Sequence, residues 1–187
     1  AQNIGWMGWT KNGAASGTQG YSYRLEAIQI LILNKGAAAP GSTNDSFRCT
    51  RIKYNTHIQG SGWGSEVNDG GVSGSTGKGL RMEALNIHLD NQMYSGGIQY
   101  QAHIQGTGWG QGWRQNGQMV GTTGQSARLE AVKIQLTGEM AKHYDVYYRV
   151  HAQNIGWMGW AKNGQSAGTE GYSYRLEAIQ VVLVDKG

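Results

Sequence analysis

Cysteine is almost absent from this chain. The single Cys49 leaves no intramolecular disulfide and no cysteine-based zinc cluster. Proline occurs once, at Pro40, and phenylalanine once, at Phe47. Charge is sparse, with 15% of the 187 residues charged against about 25% in an average chain. The 16 basic and 12 acidic residues leave a formal charge of +4. The basic residues are scattered, which argues against a nucleic-acid surface. Apolar runs such as Ile30-Leu31-Ile32-Leu33 fall far short of the ~20 residues of a membrane helix, so no membrane insertion is expected. No signal-peptide pattern opens the chain, which fits a cytosolic protein, a mature chain or an excised fragment.

Glycine, by contrast, is abundant at 31 residues, alongside seven tryptophans and ten tyrosines. The glycines have no every-third-residue period, which excludes collagen. The tryptophans and alternating aliphatic stretches exclude a fully disordered chain.

The order beneath this composition is a repeat. Arg-(Leu/Met)-Glu-Ala occurs four times, beginning at Arg24, Arg81, Arg128 and Arg175. Each is preceded by Gly-Trp, at Trp6, Trp63, Trp109 and Trp157. Residues 36–45 are small, polar and hold the only proline, so they read as a linker. Residues 1–36 match residues 152–187 at most positions but lack the strand that precedes Ala152. The expected organisation is therefore an incomplete repeat at 1–36, a linker at 37–45 and a complete three-repeat domain at 46–187. Its repeats run at about 46–92, 93–139 and 140–187. Residues 1–36 read as the tail of a preceding, similar domain, so the natural protein is expected to be longer and tandem.

One copy can be read in detail. Ile98, Tyr100, Ala102 and Ile104 alternate with Gln99, Gln101, His103 and Gln105, the pattern of a half-buried antiparallel strand. Asn116-Gly117 supplies the positive φ of a type I′ turn, so a short hairpin is expected around it. A Gly-Thr-x-Gly loop follows at Gly121, without the Lys and helix of a phosphate loop. The last strand buries Val132, Ile134 and Leu136. Strict alternation would turn Glu130 inward, so a bulge or a buried Arg–Glu pair is expected there. The corresponding strand of the first copy carries Ile28, Ile30 and Ile32. No segment has a convincing helical period. The fold expected is all-β and three-fold pseudosymmetric, β-trefoil-like or β-prism-like, with no significant helix.

The combined pattern Gly-Trp-x-x-Trp, Asn-Gly, Gly-Thr-x-Gly and Arg-Leu-Glu-Ala-(Ile/Val)-x-(Ile/Val)-x-Leu resembles the clostridial hydrophobic tryptophan-containing (ChW) repeat. The resemblance covers all four copies. The second copy departs from it, with Glu66 where a second Trp is expected. The family occurs mostly in exported proteins of Gram-positive bacteria, often beside enzymes acting on cell wall or polysaccharide. The resemblance therefore implies a secreted or cell-surface module that binds cell-wall glycan or another polysaccharide.

Each repeated residue carries a structural and a functional reading. Trp6, Trp63, Trp109 and Trp157 read as packing residues, because an indole buries a large area. Trp9, Trp113 and Trp160 sit at the turn and suit either hairpin packing or a sugar-stacking platform. The pairs Arg24–Glu26, Arg81–Glu83, Arg128–Glu130 and Arg175–Glu177 read as structural ion pairs. A glycosidase needs two facing carboxylates, and each repeat offers one, so no catalytic residue and no enzyme activity is expected. His57, His103 and His151 share one strand position on the polar face. They read as surface or inter-strand residues, with glycan contact as the functional reading and a metal site disfavoured. Gln105 and Gln153 join His103 and His151 as candidate ligand contacts. Cys49 reads as a small buried hydrophobe, and no metal or cofactor is expected. Three functions follow: a multivalent glycan-binding module, an adhesive or self-assembling surface protein that associates through residues 1–36, and, least favoured, an enzyme.

Overall fold

A computed structural model describes residues 1–186. The chain divides into two compact units, residues 1–50 and the residues from Arg51 onward. In the first unit, strands β1 (Gly17–Gln19) and β2 (Phe47–Cys49) pair in parallel. The Trp9 N–H donates to Ser42 O and the Gly17 N–H to Ser46 O, both at 2.8 Å. Cys49 is half-buried rather than buried.

The run through Ile28, Ile30 and Ile32 forms no strand. This corrects the sequence reading. Leu25, Ile28, Ile30 and Leu33 are exposed, and Ile32 is 99% exposed. The physical reason lies in the fourth copy, where nearly the same residues form a strand against a long antiparallel partner. The first unit has no such partner to complete the ladder.

The second unit repeats one plan three times. The second copy contributes β3 (Arg51–Ile58), β4 (Gly62–Trp63), β5 (Val67–Asn68), β6 (Ser73–Gly74) and β7 (Met82–Asp90). The third contributes β8 (Gly97–Ile104), β9 (Arg114–Gln115), β10 (Val120–Gly121) and β11 (Leu129–Thr137). The fourth opens on a single helical turn, α1 (Met140–His143), which sequence periodicity missed. It continues as β12 (Tyr144–Ala152), β13 (Gly156–Trp157), β14 (Ala161–Lys162), β15 (Ala167–Gly168) and β16 (Leu176–Asp185). The long strands pair within each copy, β3 with β7, β8 with β11 and β12 with β16, all antiparallel. Their alternating residues fill the core: Ile52 and Tyr54, Ile98 and Tyr100, Val146 and Tyr148. Val132, Ile134 and Leu136 are buried as expected.

The expected short hairpin is corrected. Its turn forms, with positive φ at Asn116 (35°) and Gly117 (86°) and the Gln118 N–H bonded to Gln115 O at 3.0 Å. Its two arms, however, do not pair with each other. β9 pairs with β8 of its own copy, whereas β10 crosses to β7 of the preceding copy. β15 likewise crosses to β11, and β6 crosses to β16. The last crossing joins the final strand of the fourth copy to the second copy, so the three sheets close into a ring. The crossing strand fills a ladder edge that each long strand would otherwise leave open. The architecture is all-β and three-fold repeated.

Two devices hold each crossing. The first is a buried tyrosine. The Tyr100 hydroxyl accepts from the Ile87 N–H at 3.1 Å and donates to Gln118 O. The Tyr54 hydroxyl accepts from the Val181 N–H at 3.0 Å and donates to Gly71 O. Tyr148 bonds the Ile134 backbone and donates to Gln165 O. The turn glycine completes the pair: the Gly117, Gly70 and Gly164 N–H groups donate to Ile87, Val181 and Ile134 O at 2.7, 2.8 and 2.7 Å. Both backbone groups of one residue on the neighbouring copy are thereby satisfied, as buried backbone requires.

The second device is close backbone approach. A Cβ on Gly121 would lie 2.3 Å from Glu83 O and 2.7 Å from the Ala84 Cα. Gly74 and Gly168 meet Glu177 and Glu130 O at 2.4 Å in the same way. Glycine in the crossing strand and alanine at the end of Arg-Leu-Glu-Ala are therefore one steric requirement, met from two sides.

Burial raises the Tyr54 and Tyr100 hydroxyls from the ordinary 10.0 to about 12, and raises Tyr148 as well. A folded-state pKa above the unfolded one means that the folded state holds the proton more tightly. Its contribution is complete below about pH 10 and is lost as pH rises toward about 12. Alkaline titration followed by tyrosinate absorbance and circular dichroism is expected to show these tyrosines ionising together with loss of the fold. Ionisation near pH 10 with the fold intact would contradict the pinning role.

Candidate functional site

The bulge foreseen at Glu130 forms. Pairing of β11 with β8 shifts register between Leu129 and Ala131, and the same shift occurs between His57 and Ile58 and between His151 and Ala152. The extra residue is Glu83, Glu130 or Glu177 in turn, and each is buried. A buried carboxylate is costly unless paired, and each is gripped twice. The Nε of Arg81, Arg128 and Arg175 donates to Oε1 at 2.9, 2.8 and 3.0 Å. On the other side, Nδ1 of His57, His103 and His151 lies 3.1, 3.0 and 3.1 Å from Oε2. That contact is close, but the imidazole nitrogen does not reach hydrogen-bond geometry.

Each histidine in turn supports an indole edge-on. His57–Trp63, His103–Trp109 and His151–Trp157 have centroids 5.6, 5.5 and 5.5 Å apart at 80°, 75° and 87°. Arg, Glu, His and Trp thus form one chain of contacts, built three times on the outer face of three separate sheets. The bulge and the buried Arg–Glu pair, expected as alternatives, occur together, and the histidine lies beside them. In the first copy only the exposed Arg24–Glu26 pair remains, at 3.3 Å.

The tryptophans depart from expectation. Trp63, Trp109 and Trp157 were expected to pack in the core, yet none belongs to it. Trp63 is 41% exposed and Trp109 and Trp157 are half-buried. The reason is the end of the strand: these residues follow the last inward position, so the indole lies over the histidine on the outer face. Trp6 is 67% exposed. The second tryptophans are exposed, Trp113 at 37% and Trp160 at 47%, and Trp160 shares Arg149 with Trp157. Trp9 lies in the first unit, where it lines an open depression of about 380 Å³ with Trp6, Asn44 and Arg48. The Gln105 and Gln153 N–H groups donate to Arg128 and Arg175 O at 3.0 Å, so their backbones brace the bulge. The Gln105 side chain is exposed and that of Gln153 half-buried.

Sequence reasoning missed the cations. Lys133 Nζ lies 4.3 Å from the Trp109 centroid. The Arg149 guanidinium lies 4.9 Å from Trp157 and 4.8 Å from Trp160. It also missed Glu170, which accepts from Trp109 Nε1 at 3.0 Å and comes from the crossing loop of the next copy. The alternation of β11 and β12 marks Lys133 and Arg149 as outward-facing, so that signal was available. The Glu170 contact depends on the crossing and left no local trace. In the second copy Glu66, standing in the place of the second Trp, lies 3.5 Å from His88 Nδ1.

The model of the family described as Clostridial hydrophobic W matches residues 1–34, 57–91, 103–138 and 151–185. No curated protein and no solved structure matches the chain.

These contacts predict two different costs. Glu130→Ala leaves the Arg128 charge unpaired beside the core and should destabilise the fold by about 3–5 kcal/mol. Trp109→Ala loses an edge-to-face pair and a cation–π contact on a half-exposed surface, about 1–2 kcal/mol in all. Chemical denaturation of both variants tests the order. An equal or larger cost for Trp109→Ala would return that residue to the core.

Proposed function

The chain belongs to the Clostridial hydrophobic W family, and from that premise we propose that it is a non-catalytic, extracellular binding module for bacterial cell-wall glycan or another polysaccharide. The observation that carries this reading is the placement of the tryptophans. Flat indoles stand part-exposed on the outer faces of rigid sheets, where a pyranose ring can stack. The chain of Arg, Glu and His contacts beneath fixes the first indole of each face, and polar side chains surround it. The one repeated carboxylate is buried against Arg and His in the second, third and fourth copies, which favours binding over glycoside hydrolysis. The family setting favours a secreted or cell-surface location in a Gram-positive bacterium. Two faces carry a second indole and the third carries Glu66, so avidity arises from unequal sites.

Binding to purified peptidoglycan and to a glycan array tests this reading. Trp113→Ala and Trp160→Ala should each weaken binding roughly 2- to 12-fold, the loss of one stacking platform. The double variant should lose more than either single change while remaining folded. A folded double variant that binds as well as the parent would overturn the reading.

One observation favours a second role in self-assembly. Leu25, Ile28, Ile30 and Ile32 form an exposed apolar run whose counterpart in the fourth copy is a paired strand. Such a segment seeks a strand partner. Sedimentation of the full chain should show association, whereas a fragment of residues 46–187 should fold and stay monomeric. A full chain that stays monomeric at high concentration would dismiss this role.

A further inference from the structure

The three outer faces share a frame but differ in charge. Two positions before the histidine stand Asn55 in the second copy, Gln101 in the third and Arg149 in the fourth. The second face neutralises itself: Lys53 pairs with Asp90 at 2.9 Å, and His88 lies against Glu66. The third sets Lys133 and Glu170 on the same indole. On the fourth face, both carboxylates are already taken. Glu177 is held by Arg175 and His151, and Asp145 by Lys162 at 2.7 Å and Lys186 at 3.3 Å. Arg149 makes no ion pair among the described residues.

The setting of Arg149 is that of a receptor. Its Nε donates to Gln180 Oε1 at 2.8 Å, and Gln180 Nε2 is itself anchored to Gly70 O at 2.8 Å. A guanidinium carries five N–H donors in one plane. Two indoles lie 4.9 and 4.8 Å from it and Gln180 occupies its Nε, so the terminal N–H groups keep the fork geometry that grips a carboxylate. Trp160, 47% exposed, stands beside it.

We propose that the outer face of the fourth copy is a subsite for a carboxylate-bearing saccharide, with Arg149 holding the carboxylate and Trp160 the adjoining sugar ring. This rests on the glycan-binding reading above and adds the class of ligand. The carboxylate can belong to a uronic acid or to a carboxylated substituent of peptidoglycan.

The test is calorimetric titration of the full chain with two probes, an oligogalacturonide and a soluble peptidoglycan fragment. Each is used as the acid and with its carboxylates converted to amides. The acid form of one probe should bind at least about tenfold more tightly than its amide, and that probe identifies the source. Arg149→Gln, which places the third copy's residue there, should bring acid and amide within about threefold of each other. Equal binding of acid and amide by the unaltered chain overturns the subsite yet leaves glycan binding standing, and this arm needs no variant. An acid preference that persists in a folded Arg149→Gln chain also overturns it. Absence of binding to either probe in both forms counts against the subsite and the glycan reading together.

Discussion

Closure of the ring hangs on a tyrosine hydroxyl. In each of the three copies it reaches across a repeat boundary to a backbone group of the neighbouring long strand, beside the N–H of a turn glycine. Neither bond is strong alone, and a typical net hydrogen bond contributes only about 1 kcal/mol. Their weight comes from position. They satisfy both polar groups of a buried strand residue where the regular ladder stops. Without them each sheet would have a broken edge facing the core, and the crossing strand would have nothing to register against.

The same crossing explains the repeated words of the sequence. In Arg-Leu-Glu-Ala, leucine or methionine fills the core. Glutamate occupies the bulge, paired with arginine and lying against histidine. Alanine leaves room for the crossing glycine, which approaches so closely that a Cβ on the glycine would collide. In Gly-Thr-x-Gly the residue after the first glycine donates its N–H to the bulged glutamate's carbonyl, as Thr122 does to Glu83 at 2.9 Å. The two motifs lie in different copies and form one joint. A ring built of such joints tolerates little change at them.

The outward faces are under no such constraint, and there the copies diverge. Asn55, Gln101 and Arg149 occupy equivalent positions, as do Glu66, Trp113 and Trp160. A rigid frame with variable outward residues is a general route to several specificities on one scaffold. Here it gives one neutralised face, one with opposed charges on a single indole and one whose guanidinium makes no ion pair among the described residues.

Much of this was legible in the chain. Period-two alternation from Ile98 to Ile104 determined which residues are core, Asn116-Gly117 determined the turn, and the misfit of Glu130 announced its bulge. These are local consequences of backbone geometry and burial, so a local string carries them. Partners were not legible. The arms flanking Asn116-Gly117 look like a hairpin in sequence and in fact part to two different sheets. Trp109 looks like a core residue and lies outside, on His103. The apolar run at Ile28 looks like a strand and is none. Each outcome depends on which edge is free in space, and alternation records the face a residue turns to but not the strand it meets. That choice belonged to the tertiary structure, because hydrogen bonds across a repeat boundary have no counterpart in the order of neighbouring residues.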